Sequence, residues 1–554
     1  MEVGIAGLGF VGSWGANLDI LINANPAESW QKVTVDRIAI DAGKGILTDS
    51  GTDNGDAWAE VEPTTLTLGR QAFGRVSLYW CQTEQGLWFA TRLRWLLPLV
   101  KREIDPIAVY SYACFSYVTT PLTPIKSIHA IAAGGIQTWE QGQIAHPKKL
   151  CLTLSHWQEQ ETLLNNEATA VKELRSLLEL AVFKQVADLT NETVGVLLSG
   201  GLDSAIVAAL LSRSGLKVRA YTLDFGKYGI SEVPYAEQVA NYLQIPLIKV
   251  DCSPQKVKRS LLEVAKALDL PFGDGVSVPF WLLYQTALQD CDLLFNGEGG
   301  DQLFGGWTNK PLIAASLYQT SPITFAEQYL QTFHRLWGYG ERVFSSIFWQ
   351  MVKDWQPVDS LESALDGSGS LLSRLRRATL MLKGAQNIHP RATNMALALG
   401  LRLRSPFCDE DLAQWTFGVD SSLFLQGACE KYIMKRAVEP WLPAEIVWRP
   451  KRGMGVPLTQ WCLEPLWHDL GKWLNPGLLE TEGIWRSDLA SSIVFGKLSG
   501  SLRKRRIGEI LWLLLQWQFW QSQMGVPIKD YSWGHPFHLP YWFWERMNLY
   551  RENL

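Results

Sequence analysis

At 554 residues the chain exceeds what one hydrophobic core can organise, so two or more domains are expected. Hydrophobic residues make up 47% and charged residues 19%, which excludes a disordered chain. A net charge of −4 argues against nucleic acid or an anionic membrane as a partner, and eight scattered cysteines with no CxxC pair argue against a disulfide framework or a zinc site.

The N-terminus carries no basic segment followed by an apolar one, so no signal peptide is read and a cytoplasmic location is expected. Residues 1–155 are rich in β signals: Leu66–Arg70, Val76–Trp80 and Leu87–Arg92 read as short strands, and Asp49–Asp56 as a polar loop. Residues 156–170 read as a polar linker into a helix from Ala170 to Ala187.

Next comes VGVLLSGGLDSAIVAALLSR, Val194 to Arg213. A buried strand, a glycine turn and a helix start, in that order, form a phosphate cradle: glycines let backbone N–H groups approach an anion, and the helix N-terminus favours it. The Asp203 carboxylate would repel bare phosphates, and fits if a divalent cation lies between them.

Strands then alternate with helices: a strand at Lys217–Asp224, a helix at Glu232–Leu243, a strand at Pro246–Asp251, helices at Pro254–Leu268 and Val278–Gln289, and a strand at Asp292–Asn296. That order predicts a parallel sheet covered on both faces, with ligands at the carboxyl ends of its strands. The last strand runs into NGEGGDQLFGG, Asn296 to Gly306, a second glycine-rich loop able to face the first. One aspartate from each loop can bracket Mg²⁺ on a triphosphate.

After Thr308 the pattern is mainly helical. Gly400–Asp409 combines arginines with a turn, and Glu430–Pro457 ends in Arg449–Gly453, which by itself reads as a solvated basic loop, although its lysine could also neutralise charge developing on phosphates or on a tetrahedral intermediate. Arg503–Arg506 reads as a solvated helix end, and Ile510–Trp520 as a core helix, being shorter than the roughly 20 residues a membrane span needs. His535 and His538 in the aromatic tail read as packing residues, and the 26 tryptophans as core or interface aromatics, with some available to an apolar cleft.

SGGLDS, GEGGDQLFGG, LRLRSPFCD, EKYIMKRAVEPWLPAEIVWRPK and EILWLLLQWQFW occur in the order found in asparagine synthetases, and the chain resembles that family over nearly its whole length. The resemblance implies an α/β protein. A degenerate Ntn-hydrolase-like αββα sandwich at 1–155 precedes a doubly wound parallel-sheet PP-loop synthetase domain at 165–530, mostly helical in its second half, and an aromatic tail at 531–554. It implies ATP-dependent adenylation of a carboxylate, release of pyrophosphate and attack by an amine. ATP would be held by Leu198, Ser199, Gly200, Gly201, Asp203 and Ser204, by Leu223 under the adenine, and by Asn296 and Gly297. Mg²⁺ would be ligated by Asp203 and Asp301, Lys451 would stabilise the transition states, and Glu298 would deprotonate the amine. Gln302 departs from the family's usual glutamate.

LGRQAFGRVSLYW and LWFATRLRWLL look like the family's amidotransferase segment R-D-x-x-G-x-x-P-L-Y … F-x-S-E-x-x-x-L, but its chemistry is missing. Glu2 stands where active members carry the nucleophilic cysteine, and a carboxylate cannot replace a thiolate in attack on an amide. Gln71 replaces the aspartate of the RD pair. Glutamine hydrolysis is therefore not expected. The favoured reading is a ligase whose amine comes from the substrate itself, as in β-lactam synthetases and lasso-peptide cyclases. Glu298, where the former carry tyrosine, and Gly300 tilt towards the peptide cyclases. Expected partners are a small-molecule or peptide carboxylate and a precursor peptide with its protease, with a homodimer left open. An ammonia-using asparagine synthetase and a non-catalytic nucleotide-binding protein are the alternatives.

Overall fold

The computed structural model describes residues 8–15, 19–23, 30–48, 55–141, 148–151, 157–229, 231–306, 324–331, 336–365, 368–451, 453–498, 506–524 and 534–552. Glu2, Asp49–Asn54 of the polar loop, Arg452 and Arg503–Arg505 lie outside them.

The N-terminal part forms two six-stranded antiparallel sheets. The strands are β1 (Gly9–Gly15), β2 (Asp19–Asn23), β3 (Gln31–Val33), β4 (Arg37–Asp41), β5 (Gly45–Thr48), β6 (Ala57–Val61), β7 (Thr65–Arg70), β8 (Tyr79–Thr83), β9 (Gly86–Ala90), β10 (Ile128–Ala130), β11 (Gly135–Glu140) and β12 (Lys148–Cys151). The sheet orders are β10-β8-β9-β1-β2-β3 and β12-β11-β7-β6-β4-β5. Period-2 alternation aims Phe10, Trp14, Ile20, Ile22, Leu87 and Phe89 of one sheet at Ile38, Ile40, Ala57, Ala59, Leu66 and Leu68 of the other, in a shared core.

Val76 and Leu78 precede a strand instead of opening one, contrary to the sequence reading. The Val76 carbonyl accepts from Arg70 Nε at 2.7 Å, so it is bonded to a side chain. Helix α1 (Pro106–Phe115), N-capped by Asp105, covers the outer face of the first sheet.

The polar stretch before the next helix is docked. Trp157 is buried against Phe73 and Phe417, and Gln160 N donates to Phe417 O at 3.0 Å. Helix α2 (Glu167–Val186) then leads into five parallel strands, β13 (Thr193–Leu197), β14 (Lys217–Asp224), β15 (Leu247–Asp251), β16 (Leu293–Phe295) and β17 (Arg402–Arg404), in the order β15-β14-β13-β16-β17. Helices α3 (Leu202–Ser212), α4 (Val233–Leu243), α5 (Pro254–Ala267) and α6 (Ser277–Ala287) connect the first four. The fifth strand carries no sequence signal of its own, because three residues, RLR, are too few to establish a period. Its arginines are neutralised, Arg402 by Asp292 at 2.8 Å and Arg404 by Asp188 at 2.6 Å.

Strand order runs outward from β13 in one direction and from β16 in the other. The crevice between their carboxyl ends is thus a topological switch point, where open α/β sheets bind ligands.

The two parts are stitched together by buried polar contacts. Arg92 and Arg94, just after β9, cap the carboxyl end of α5. Arg92 donates to Ala267 O at 2.5 Å and to Asp269 Oδ2 at 2.8 Å, and Arg94 to Leu268 O at 3.0 Å. Asp269 is wholly buried. Arg92→Met is expected to lower stability by about 3–5 kcal/mol in urea unfolding, since it leaves a buried carboxylate without its close partner.

The late apolar run forms a buried helix, Ile507–Gln523, in which Gln518 donates to Glu482 at 2.6 Å and Trp520 to Asp269 O at 2.9 Å. No helix among the described residues is long and apolar enough to cross a membrane.

Candidate active site

A cavity of about 1070 Å³ opens at the switch point. Leu198, Ser199, Gly201, Asp203, Ser204, Leu223, Asn296, Gly297, Glu298, Asp301 and Lys451 all line it. Gly200 does not, but its φ of 71° shapes the turn and its carbonyl accepts from Arg449 Nη2 at 2.5 Å.

The first loop leaves β13 and enters α3 at Gly201, which offers no side-chain cap, so the first-turn backbone donors keep their affinity for an anion. Ser199 and Ser204 face each other, Oγ to Oγ at 3.2 Å. Leu223 lies at the end of the neighbouring strand β14.

The second loop leaves β16 and enters the short helix α7 (Gly300–Leu303). Its glycines are there for contact. A Cβ on Gly300 would come within 2.6 Å of Asp203 Cγ, and one on Gly297 within 2.8 Å of the Ser204 nitrogen. Any larger residue would push the loops apart. Asp203 and Asp301, 98 positions apart in sequence, therefore meet around one cation, the ammonium of Lys431. Asp203 holds it with both oxygens, at 2.5 and 2.6 Å, and Asp301 also takes Lys451.

After helices α8 (Leu371–Ala378) and α9 (His389–Ala398) comes α10 (Tyr432–Val438), and Lys431, to which the sequence assigns no role, is buried at its start. Burial opposes its charge, but the two aspartates more than offset this and hold the ammonium above the usual lysine value. Burial raises Asp301 too, yet Lys431 and Lys451 outweigh it and leave that carboxyl well below the usual range. Asp203 goes the other way: burial, aided by the like charge of Asp301, outweighs Lys431 and raises it.

Two hard oxygen donors converging beside a phosphate cradle fit Mg²⁺, which takes one or two carboxylates and completes its shell with substrate phosphates and water. No cluster of three or more His, Cys, Asp or Glu suited to a metal occurs among the described residues, and His535 and His538 lie in the aromatic tail. They pack on Trp544.

Glu298 faces the same cavity. Its backbone N–H donates to Asn296 Oδ1 at 3.2 Å, and burial, partly offset by Arg75, lifts its carboxyl to about 8. The opposite wall is one face of a continuous helical rod, α8, the wide π-helical turns Thr379–Ile388, and α9. Thr379, Lys383, Asn387 and Arg391, at four-residue spacing, point into the cavity. Arg391 pairs with Asp274 and reaches Asn387 Oδ1 at 3.1 Å.

The rod's other face docks on the N-terminal sandwich. Arg70 Nη2 donates to Ala385 O at 3.4 Å, and His389 Nδ1 meets Phe73 O at 2.8 Å. Arg70, the arginine of the former RD pair, spends its remaining donors on the carbonyls of Val76, Ile131 and Gly74. No tryptophan lines the cavity among the described residues, so the abundant indoles build the core and not an aromatic cleft.

Residues 173–522 match the family described as asparagine synthase, and residues 57–150 match one described as a glutamine amidotransferase domain. A protein of Mycobacterium tuberculosis (strain ATCC 25618 / H37Rv), provisionally named a glutamine-hydrolysing asparagine synthetase, is 26% identical over 438 residues, covering 72% of this chain and 65% of that protein. Glutamine-hydrolysing asparagine synthetase 1 of Bacillus subtilis (strain 168) is 23% identical over 450 residues, 74% of this chain and 68% of its own. The enzyme of Cricetulus griseus is 25% identical over 405 residues, 71% of this chain and 61% of its own. The chain thus spans about two thirds of the length of these curated relatives.

Proposed function

The chain belongs to the asparagine synthase family, and from that premise we propose that it is an ATP- and Mg²⁺-dependent carbon–nitrogen ligase that activates a carboxylate as its acyl-adenylate. The observation that carries this reading is the meeting of Asp203 and Asp301 on one ammonium, at the carboxyl ends of adjacent parallel strands.

Substrate carboxylate oxygen attacks the α-phosphorus of ATP, the bond to the β-phosphate oxygen breaks, and pyrophosphate leaves. An amine then attacks the acyl carbon and AMP leaves. Bound Mg²⁺, held by Asp203 and Asp301, would supply neutralisation of the phosphate charge. The backbone of Leu198–Ser204 cradles the phosphates, Leu223, Asn296 and Gly297 bound the nucleoside, Lys451 faces the developing negative charge, and Glu298 accepts the proton the amine gives up.

The finer reading is an amine from the substrate itself: macrolactam formation of the lasso-peptide or natural-product kind, on a precursor peptide released by its protease. The engagement of all three of Arg70's guanidinium nitrogens by backbone carbonyls supports an N-terminal sandwich that hydrolyses no glutamine. The relatives are named asparagine synthetases, which favours a second reading, amidation of aspartate, with ammonia as the amine if no glutamine is hydrolysed.

The test is ATP–pyrophosphate exchange with Mg²⁺ and either L-aspartate or linear peptides bearing a side-chain carboxylate. Acid-dependent exchange that stops with EDTA, and no glutamate formed from glutamine, is the expected result. MgATP binding without exchange on any acid would replace the ligase by a nucleotide-binding protein.

A further inference from the structure

Lys435 lines the cavity and, among the described residues, meets no acid. It sits one helical turn beyond Lys431, on α10, and is only 5% exposed. Its ammonium lies 3.6 Å from the Cys429 thiol and 5.9 Å from the centre of the Trp448 ring. Among the described residues no carboxylate comes within 4 Å of it, whereas Lys431 has two and Lys451 one. A thiol sulfur is a weak acceptor and an indole face at that distance a weak partner. Buried charges in folded proteins are ordinarily paired, so a lysine kept in this state has its counter-ion elsewhere.

The direction of the missing charge follows from position. Lys431 Nζ bonds Asp203 in the first turn of α3, and Arg449, bonded to Gly200 O, closes the other side of the same loop. Lys435 lines the same cavity from the same helix, one turn beyond Lys431. The phosphate chain is the polyanionic part of a nucleotide, so an ammonium added to this basic wall is matched to the phosphates and not to the uncharged base.

We propose that Lys435 is the anchor for the β- and γ-phosphates of the nucleotide, and so for the leaving pyrophosphate. This rests on the ligase reading only for the origin of the anion. The ligand chemistry is a polyphosphate dianion or trianion, and its grip depends on an ammonium that the fold leaves without a carboxylate.

The test is calorimetric titration of the full-length protein and its Lys435→Met and Lys435→Arg variants with MgATP, Mg-pyrophosphate and AMP. Lys435→Met is expected to weaken pyrophosphate and MgATP binding by about 10- to 100-fold, the range of a charge-assisted hydrogen bond, and to leave AMP unchanged. Lys435→Arg is expected to restore most of the pyrophosphate affinity.

Because the substitution removes an uncompensated buried charge, the ligand-free Lys435→Met protein is expected to keep or raise its Tm. Unchanged pyrophosphate affinity in Lys435→Met would overturn the assignment, and so would a clear fall in its ligand-free Tm, which marks a structural lysine. Wild-type protein that binds pyrophosphate but not MgATP, with the pyrophosphate lost in Lys435→Met, would sink the ligase reading while supporting this one.

Discussion

Asp203→Asn is expected to lower acid-dependent pyrophosphate exchange by at least about 10²–10³-fold, the cost of removing one preorganised electrostatic element from a closed site. The amide keeps the size of the carboxylate, so Gly297 and Gly300 still find room against it. What is lost is one of two negative charges: the Mg²⁺ site falls to a single carboxylate, and Lys431 is left with Asp301 alone. Lys431 thus stays paired, and Tm is expected to move by only a few degrees. Asp301→Asn is expected to lose as much activity and more stability, because Asp301 serves both Lys431 and Lys451. Glu2→Ala is expected to leave exchange unchanged. Full exchange by the Asp203→Asn protein would remove the carboxylate from the mechanism.

Strand–turn–helix patterns carry their own punctuation, which is why β13, β14 and the two glycine-rich loops could be read locally. The apolar run Val194–Leu198 stops at glycine, and a helical alanine pattern follows. Lys217–Asp224 is a strand over the span its pattern indicated. Contacts made across long sequence separations left no such mark. β17 is a strand because Asp292, Asp188 and the carbonyl of Gly43 neutralise its arginines, partners up to 361 positions away. Lys431 is hidden for the same reason, since nothing in EKYIMKR indicates that its lysine closes a pair of loops. The cavity-facing row Thr379, Lys383, Asn387 and Arg391 has helical spacing, but the docking of its helix on Arg70 and Phe73 is set by the sandwich behind it. Sequence periodicity can indicate that a helix has two faces, but not what each face meets.

Glu298→Gln is expected to cost about 10²–10⁴-fold in amide formation, the span a positioned general base contributes, and to remove the step near pH 8 from its rate profile. The groups around it make the titration assignable. Arg75 stays charged, while burial pushes up Tyr284 on α6 and Cys408 beyond β17 and keeps both neutral through the working range. Glu298 itself is lifted by burial to about 8 from the usual 4.5. As a base it must be deprotonated, so the rate of amide formation is expected to rise about tenfold per pH unit below that value and to level above it.

The same shift sets the sign of a stability effect. The native state holds a proton that the unfolded chain releases near pH 4.5, so the contribution of Glu298 to stability is full below that pH. It declines as pH rises, and is lost once pH passes about 8. Glutamine cannot titrate, so the Tm of Glu298→Gln relative to wild type is expected to climb across that window. A wild-type rate that falls through pH 8 would make the protonated carboxyl the working form, and would turn Glu298 from the acceptor of the amine's proton into a donor to the leaving phosphate.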